Sequence, residues 1–579
     1  MAPDGTVYGI ELLNANEQLK DDRGTLILEW AGKRRGFTGS RLLPFKLQSS
    51  PITFGLGHLP YCGVWLRMTT LMVLNRYHIP NHHKGQTMDP ILFWNDAALE
   101  ANRVSHTNGK GEQTGPTLSS RALAIVHLAM YDAYAGIKGN PPTLPPYLPG
   151  LPPPLAAATV DAAVAAAAHA TLSSLFPSQK AYFDEWHLLA GLSGAGLVEG
   201  HAFGLMVAQK ILADRKDDPD AKDNGYATSM AHARHRPDPD NPDQGYHAPF
   251  YGAKSKGFAI SLRHELDAPP QPGSPDYQKA LVEVRGRGIA PELMGTLTST
   301  YAPRTVDQTL IGIFWGYDGA PGLGTPPRLY NQIVRKVAEK QNTGADATDK
   351  NARLFALINV AMADAGILSW DQKYIHDFWR PVVGIREHDS SMGPAGQGGN
   401  TFNNECDTNW LPLGAPSTNA MGKPLTPVSH AYPCQHERSG IAKNFTPPFP
   451  AYPSGHATFG AAAFQMTRLF YGDTGAATDD LFDGLTFVSE EFNGTNKDNK
   501  GTVRPKHVRK FAKGLAQMIE ENGRSRVYLG VHWVFDAFAV KANGNPDLAK
   551  NIGGVPLGIT IAEDIFSTNM TKSAVPPRP

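Results

Sequence analysis

The sequence predicts an all-α protein built from two helical bundles, and three features lead to this prediction. Stretches after residue 88 repeat apolar residues at helical spacing, strand-like alternation is scarce, and two irregular Pro- and Gly-rich stretches at 217–280 and 386–453 separate the helical segments. We expect residues 88–300 to form an N-terminal bundle. Residues 301–579 are expected to form a C-terminal bundle that carries the motifs described below.

The individual helices are predicted in chain order from the spacing of apolar residues. A change of character at Met88 starts the helical part of the chain, and the nearly poly-alanine segment 155–175 has high helix propensity. The remaining predicted helices cover 119–136, 178–192, 198–215, 305–316, 327–341, 351–379, 456–471, 477–492, 504–523 and 525–542.

The first 87 residues differ from the rest of the chain. They have mixed charge, no sustained apolar period and internal methionines. We expect either a poorly ordered extension or a start site assigned too far upstream, and the alternative is an ordinary surface arm packed on the core. This segment does not show the charged-then-apolar order of a secretion signal, and the localisation stays unknown.

Composition excludes several classes of function. Lys plus Arg equals Asp plus Glu at 54 each, so no general basic field exists for nucleic acid or an anionic membrane. No run of 18 uninterrupted apolar residues occurs, which argues against membrane insertion. The chain has only three cysteines, too few for a disulfide scaffold. Cys406 and Cys434 flank an irregular loop and either pair or remain thiols.

A first candidate site contains Lys373 and Arg380, which are seven residues apart. On one continuous helix this spacing is two turns, so both side chains would project from the same face before Pro381 ends the helix. Such a pair is usually a solvated face. The aromatic residues Phe378 and Trp379 nearby indicate instead that the cations are partly buried and need an anion.

A second candidate site is the sequence Pro453-Ser454-Gly455-His456, which precedes an apolar helix. Ser454 and Gly455 suit a helix N-terminus, where free amides and the positive end of the helix dipole attract anions. The simpler interpretation is a helix cap followed by an exposed histidine, but this gives His456 no purpose.

The third stretch contains Arg526, Gly530, His532 and Asp536. His532 and Asp536 are four residues apart, so the carboxylate can hold the imidazole in one tautomer and leave its other nitrogen free. Arg526 lies about 120° from that face on a regular helix. It must therefore reach round, or the helix is distorted near Gly530. A lone His–Asp pair is more often structural than catalytic.

Together the three stretches supply cations, a hydroxyl, a glycine amide and two histidines. A pocket with this inventory suits a tetrahedral oxyanion, either phosphate or its geometric relative vanadate.

The three stretches resemble the signature of the superfamily that contains vanadium-dependent haloperoxidases and type 2 phosphatidic acid phosphatases. The similarity extends to the fungal vanadium chloroperoxidase type through segments between residues 91 and 567, among them 91–95, 246–252, 324–335, 447–460 and 552–559. The stretch 386–446 is much longer than the equivalent linker of the fungal enzymes. This difference leaves halide preference and substrate access open.

The resemblance implies a role for each motif residue. The expected vanadate-binding residues are Lys373, Arg380, Ser454, Gly455, Arg526 and His532, with His532 bonded to the metal. His456 would act as the acid–base residue, Lys373 would polarise bound peroxide, and Asp318 would pair with Arg526. Trp370 and Phe449 would line the halide side, although core packing is the usual role of such aromatics. Chloroperoxidases resemble this chain at Phe449, where bromoperoxidases carry a second histidine.

The activity implied is oxidation of chloride or bromide by hydrogen peroxide, with vanadate as cofactor. The hypohalous acid produced would halogenate a small organic acceptor, and phosphate would compete for the pocket. The main alternative is an acid phosphatase that acts on phosphomonoesters through a phosphohistidine at His532, with His456 protonating the leaving group. A catalytically silent anion-binding protein is a third interpretation.

Overall fold

The computed structural model describes the backbone of two short strands, Gln18–Lys20 and Leu26–Glu29, and residues 89–394, 405–416, 444–473, 482–499 and 501–578. The two strands, β1 and β2, form an antiparallel pair. The rest of the predicted N-terminal extension lies outside the described residues. The described residues from 89 onward belong to one compact unit.

Helices dominate the described residues, which confirms the predicted class. The first group is α1 Pro90–Ser105, α2 Gly115–Ile137, α3 Val160–Leu175, α4 Lys180–Leu189 and α5 Leu197–Asp214. The middle group is α6 Tyr251–Lys254, α7 Pro275–Arg287, α8 Val306–Phe314 and α9 Pro326–Gln341. The last group is α10 Ala347–His376, α11 Pro381–Arg386, α12 Gly455–Phe470, α13 Gly514–Tyr528, α14 Val534–Ala537 and α15 Gly554–Ser567.

Short antiparallel strand pairs accompany these helices. β3 Leu485–Phe487 pairs with β4 Arg509–Phe511, and β5 Ala539–Val540 pairs with β6 Pro546–Asp547. The helix predicted over 477–492 is therefore wrong in its described part. The helix predicted over 504–523 begins later, at Gly514, because a strand precedes it, and it continues to Tyr528. The helix predicted over 525–542 is wrong as one helix, because a turn at Gly530 leaves only the short α14 before β5.

The long helix α10 lies at the centre of the molecule. It packs against α2 on one side and against α12 and α15 on the other. It is long and apolar enough to cross a membrane, but 94% of its most apolar window is buried inside the protein. This burial is typical of a core helix, since neighbouring helices cover the apolar surface of α10. The division into bundles at residue 300 stays a prediction.

Close helix packing holds α12, the helix that follows the second motif. A Cβ on Gly558 of α15 would lie 2.4 Å from the backbone oxygen of Thr458. A side chain at this position would therefore push α15 away from α12. The start of α12 is fixed in turn by Ser454, whose hydroxyl caps the helix by accepting from the amide of Ala457 at 3.4 Å.

Candidate active site

The three predicted stretches meet in the folded chain. Nη1 of Arg380 lies 2.8 Å from Nε2 of His532, and the amide of Ser454 donates to the backbone oxygen of Asp536 at 2.8 Å. These contacts link the first stretch to the third and the second to the third. A small enclosed cavity lies at this junction, and its wall is formed by Pro116, Asp318, Pro326, Trp370, Pro447, Phe449, Gly455, His456, Phe459, Arg526 and His532.

Lys373 lies directly behind this cavity and is fully buried. Its ammonium group donates to the backbone oxygens of Pro450 at 2.8 Å and Pro453 at 2.5 Å, and lies 5.1 Å from the ring centre of Phe449. Burial, and then the neighbouring Arg380, hold the pKa of Lys373 well below its usual range. A buried ammonium that meets only carbonyls and aromatic rings gains most from a nearby anion.

Arg380 does not share a helix with Lys373, which corrects the sequence prediction. Helix α10 ends at His376, because Asp377 adopts the left-handed conformation with φ of 49°. Arg380 is the N-cap residue of α11, and Pro381 occupies the first turn of that new helix. The predicted helix over 351–379 therefore ends three residues too late. The two cations lie close together because the chain turns between two helices, and not because they are two helical turns apart on one helix.

Arg380 makes polar contacts with neutral groups around it. Its Nε donates to the backbone oxygen of Phe449 at 2.9 Å, and Nη1 donates to the backbone oxygen of Val531 at 2.8 Å. The guanidinium carbon also lies 4.9 Å from the ring centre of Phe449. This group therefore fixes the loop before α12 against the loop that carries His532.

The second stretch forms the N-terminus of α12, as predicted. A Cβ on Gly455 would lie 2.9 Å from Cζ3 of Trp370, so only glycine fits between the helix start and this ring. Nε2 of His456 lies 2.5 Å from the backbone oxygen of Trp315. Because a carbonyl only accepts, Nε2 carries the proton and Nδ1 carries the lone pair. Burial and then Arg526 hold the pKa of His456 well below its usual range, so the ring is neutral.

Arg526 and Asp318 form a buried two-point ion pair, with distances of 2.7 and 3.0 Å between their oxygens and nitrogens. The expected contact between these two residues is therefore present. Burial raises the pKa of Asp318, although Arg526 opposes that shift. The Nε atom of Arg526 is buried and has no hydrogen-bond partner among the described residues. It is an unused donor at the wall of the cavity.

The helix is broken between Arg526 and His532, as one of the two sequence alternatives required. Helix α13 ends at Tyr528, and Gly530 follows with φ of 73°. A Cβ there would lie 2.4 Å from the backbone oxygen of Gly288, so this turn needs glycine. The turn places His532 in a loop where it faces Arg380.

His532 is held by Asp536 in the predicted manner. Its Nδ1 lies 2.8 Å from Oδ2 of Asp536, an oxygen that also accepts from the amide of Trp533 at 2.9 Å. Burial raises the pKa of Asp536 to about 7, although Lys373 and then Arg380 oppose that shift. With the Nδ1 proton on the Asp536 side, the Nε2 lone pair points to Arg380 Nη1. A neutral imidazole nitrogen of this kind can bind a metal, and that role of His532 stays a prediction.

Trp370 and Phe449 form the aromatic side of the cavity. Their ring centres are 4.8 Å apart, and both residues are buried. Lys373 lies near both rings, so a small anion placed there would have an ammonium group on one side and ring edges on the other. The geometry is compatible with the halide side predicted for these two residues, and that role stays a prediction.

Sequence reasoning missed the backbone and the side chains that hold the motif residues. The backbone oxygen of Trp315 fixes the tautomer of His456, and the Tyr330 hydroxyl and Asn522 amide donate to the backbone oxygen of His456 at 3.0 and 2.9 Å. A carbonyl group has no sequence signal.

Cys406 donates to the backbone oxygen of Arg386 at 3.1 Å. Cys406 is therefore a free thiol, as one of the two sequence alternatives has it, and Cys434 lies outside the described residues.

The residues present fit a tetrahedral oxyanion such as vanadate. Three buried cations face two carboxylates, Asp318 and Asp536, whose pKa values are both raised. The unused Nε donor of Arg526, the N-terminus of α12 and the Nε2 lone pair of His532 add the donors and the ligand atom that such a guest needs.

Comparisons with known proteins agree with this description. A family model described as the vanadium chloroperoxidase N-terminal domain matches residues 81–245, and one described as the VCPO second helical-bundle domain matches residues 353–552. The chain is 36% identical to the vanadium chloroperoxidase of Curvularia inaequalis, in an alignment that covers 84% of this chain and 92% of that protein.

Solved structures of two bacterial enzymes are similar to this chain, and the first of them supports the fold. The first bacterial vanadium-dependent iodoperoxidase matches with a TM-score of 0.50 and 18% identity, covering 84% of this chain and 98% of that one. A holo-type bacterial vanadium-dependent chloroperoxidase matches with a TM-score of 0.49 and 14% identity, covering 78% of this chain and 92% of that one.

Proposed function

Because this chain belongs to the vanadium chloroperoxidase family, we propose that it is a vanadium-dependent haloperoxidase that oxidises chloride or bromide with hydrogen peroxide. The hypohalous acid formed would halogenate a small organic acceptor. The single observation that carries this proposal is the buried excess of positive charge around His532. A folded protein tolerates such an excess where an anionic guest offsets it.

The proposed cradle for vanadate consists of Lys373, Arg380, Ser454, Gly455, Arg526 and His532. His532 would give the metal the lone pair of Nε2, which the Asp536 contact at Nδ1 keeps free of a proton. Lys373, Arg380 and Arg526 would donate to the oxygens, and the N-terminus of α12 would add its amides. Bound vanadate supplies Lewis acidity toward the peroxide.

The acid–base role in this proposal falls to Nδ1 of His456. The Trp315 carbonyl keeps the proton on Nε2, so Nδ1 has the lone pair that accepts a proton from hydrogen peroxide. Asp318 lies 3.8 Å from Nδ1 and stabilises the imidazolium formed in this step. The same carboxylate binds Arg526, so it orients both the base and an anion-binding cation.

Lys373 would polarise the peroxide once it is bound. Its ammonium is held between carbonyls and aromatic rings, so a short movement exchanges a carbonyl acceptor for a peroxide oxygen. The donors are already fixed on buried residues, and this arrangement lowers the reorganisation that charge development requires. A halide ion on the Trp370–Phe449 side would then attack the polarised oxygen.

A reconstitution assay tests the function. Apo protein is supplied with hydrogen peroxide and chloride, bromide or iodide, with and without orthovanadate, and a phosphomonoester is tested in parallel. We expect halide oxidation only with orthovanadate. Phosphomonoester hydrolysis without any halide oxidation would contradict the proposal and identify a phosphatase. Absence of turnover with either substrate would identify a silent anion-binding protein.

A further inference from the structure

His247 lies outside the predicted site but contacts both aromatic residues of the halide side. Its ring centre is 5.9 Å from Trp370, edge-on, and 6.1 Å from Phe449. The residue is buried in the loop between α5 and α6, far from both rings in sequence. It is not among the residues that line the cavity, so it forms the layer behind them.

The backbone of His247 holds the same two aromatic residues. Its carbonyl accepts from Nε1 of Trp370 at 3.2 Å and from the Tyr374 hydroxyl at 2.8 Å. Its amide donates to the backbone oxygen of Pro448, the residue before Phe449, at 2.9 Å. One peptide segment thus fixes the indole of Trp370 and the backbone that carries Phe449.

The imidazole ring is fixed from the other side by the start of α2. A Cβ on Gly115 would lie 2.3 Å from Cε1 of His247, and the φ of Gly115 is 77°, so this contact requires glycine. Nε2 of His247 lies 3.1 Å from the hydroxyl of Thr117. The residue between them, Pro116, lines the cavity. The ring therefore fills the space between the start of α2 and the two pocket aromatics.

The backbone next to His247 is strained. Ala248 is fully buried and has φ of 56°, a left-handed conformation that is unfavourable for a non-glycine residue. Burial lowers the pKa of His247 to about 3, so its ring stays neutral at ordinary pH. It therefore acts through shape and hydrogen bonding, and not through charge.

We propose that His247 is a positioning residue for halide, which sets affinity and selectivity by holding Trp370 and Phe449 at their present separation. This inference rests on the proposed haloperoxidase function. It adds a residue of the N-terminal half of the chain to a pocket whose predicted members all follow residue 300. Trp370 lies on α10 and Phe449 lies in the loop before α12, and the segment around His247 contacts both of them.

Two variants of the full chain, loaded with orthovanadate, test this role. His247→Ala removes the ring, and Thr117→Val removes only the hydroxyl that contacts it. We expect His247→Ala to raise the KM for halide about tenfold and to change the bromide-to-chloride ratio of kcat/KM. The KM for peroxide and the Kd for vanadate should stay within about twofold. Thr117→Val should shift the halide KM in the same direction by about two- to threefold.

The matched control is Thr171→Val, which removes a fully buried hydroxyl from α3 that bonds only to backbone oxygens of its own helix. Its halide KM should equal that of the wild type. A second readout needs no turnover: crystals soaked in bromide should show an anomalous peak beside Trp370 and Phe449 in the wild type and a weaker one in His247→Ala.

The outcomes separate this inference from the proposed function. An active wild type whose halide KM is unchanged in both variants overturns the role of His247 alone. A vanadate Kd that rises in parallel with the halide KM also overturns it, since His247 would then support the whole pocket. A wild type that binds vanadate but oxidises no halide overturns the proposed function and this role with it. If His247→Ala does not fold, Thr117→Val decides the question.

Discussion

Two buried groups of charged side chains in this protein are built in opposite ways. Arg328 of α9 meets Glu490 through two contacts of 2.7 and 2.9 Å. Burial favours the neutral form of Arg328, but Glu490 outweighs it and raises the pKa of the guanidinium. Lys373 meets carbonyls instead of a carboxylate, and its pKa is held well below the usual range.

The difference separates a structural ion pair from a binding site. Arg328 and Glu490 satisfy each other, so the protein gains nothing by admitting an ion there. Around Lys373 and Arg380 the positive charge exceeds the negative charge, and this imbalance is a cost in the absence of a guest. This unfavourable electrostatic energy is retained because the same excess of positive charge provides the affinity for an oxyanion.

The largest effect that we expect from a substitution in the oxyanion site is on halide oxidation. His532→Ala removes the metal ligand, and we expect vanadate-dependent halide oxidation to fall to about a thousandth of the wild-type rate or less. His127→Ala is the control, because His127 is an equally buried neutral histidine of α2. Full activity in His532→Ala would show that His532 is not the ligand.

The next effect concerns stability without a ligand. Arg328→Met removes the ion-pair partner of the half-buried Glu490 carboxylate, which keeps its contact with Gln332, so we expect a loss of about 2–3 kcal/mol in unfolding free energy. Arg380→Met relieves the repulsion with Lys373, which partly offsets the loss of its hydrogen bonds to the backbone oxygens of Phe449 and Val531, so its loss should be smaller, about 1 kcal/mol, while anion binding disappears. Urea unfolding of the apo proteins measures both. Equal losses in the two variants would remove the distinction between the two groups.

A third effect is the stabilisation of the apo protein by an anion. Orthovanadate or phosphate at about 100 times its Kd should stabilise the wild type by about 2.7 kcal/mol, seen as a higher thermal midpoint. In Lys373→Met the anion should not raise the thermal midpoint. In Arg328→Met the midpoint without anion should be lower than in the wild type, but the anion should raise it by the same amount. Phosphate added first should also slow reconstitution by vanadate. If phosphate does not slow reconstitution by vanadate, the two anions do not share a pocket.

A smaller effect is expected on halide preference. Phe449→His places a second imidazole where the ring now contacts Trp370, and we expect the bromide-to-chloride ratio of kcat/KM to rise about three- to tenfold. The measurement is steady-state oxidation of each halide. An unchanged ratio would place halide selection elsewhere in the pocket.

A separate effect on stability is a pH dependence that arises outside the pocket. Burial raises the pKa of Asp132 to about 7, although the amides of Tyr147 and Leu148 oppose that shift. Between about pH 4 and 7 the folded state therefore binds more protons than the unfolded state, and stability falls as the pH rises. Asp132→Asn should flatten this slope by up to about 1.4 kcal/mol per pH unit. An unchanged slope in urea unfolding at several pH values would contradict this assignment.

The predictions from sequence succeeded where local spacing or a family motif carried the information. The helical class, the cap at Ser454 and the contact of His532 with Asp536 all depend on residues close in the chain. The contact of Asp318 with Arg526 followed from the resemblance, since 208 positions separate these residues.

The failures have a physical cause in each case. The spacing of Lys373 and Arg380 is compatible with one helix, but a single left-handed residue at Asp377 ends it. The segment Leu485–Phe487 is a strand because it finds a partner at Arg509–Phe511, and such a distant partner has no local signal. The role proposed for His247 depends on its contacts with Thr117, Trp370 and Phe449, which are distant in the chain. The spacing of residues in the sequence does not reveal such contacts.

The most direct test of the account is calorimetric titration of the apo protein with orthovanadate. We predict one binding site per chain, competition by phosphate at that site, and loss of binding in Lys373→Met and Arg380→Met with binding retained in Arg328→Met. Binding that survives the loss of both Lys373 and Arg380, or that is unaffected by saturating phosphate, would contradict the claim that this buried excess of charge is the oxyanion site.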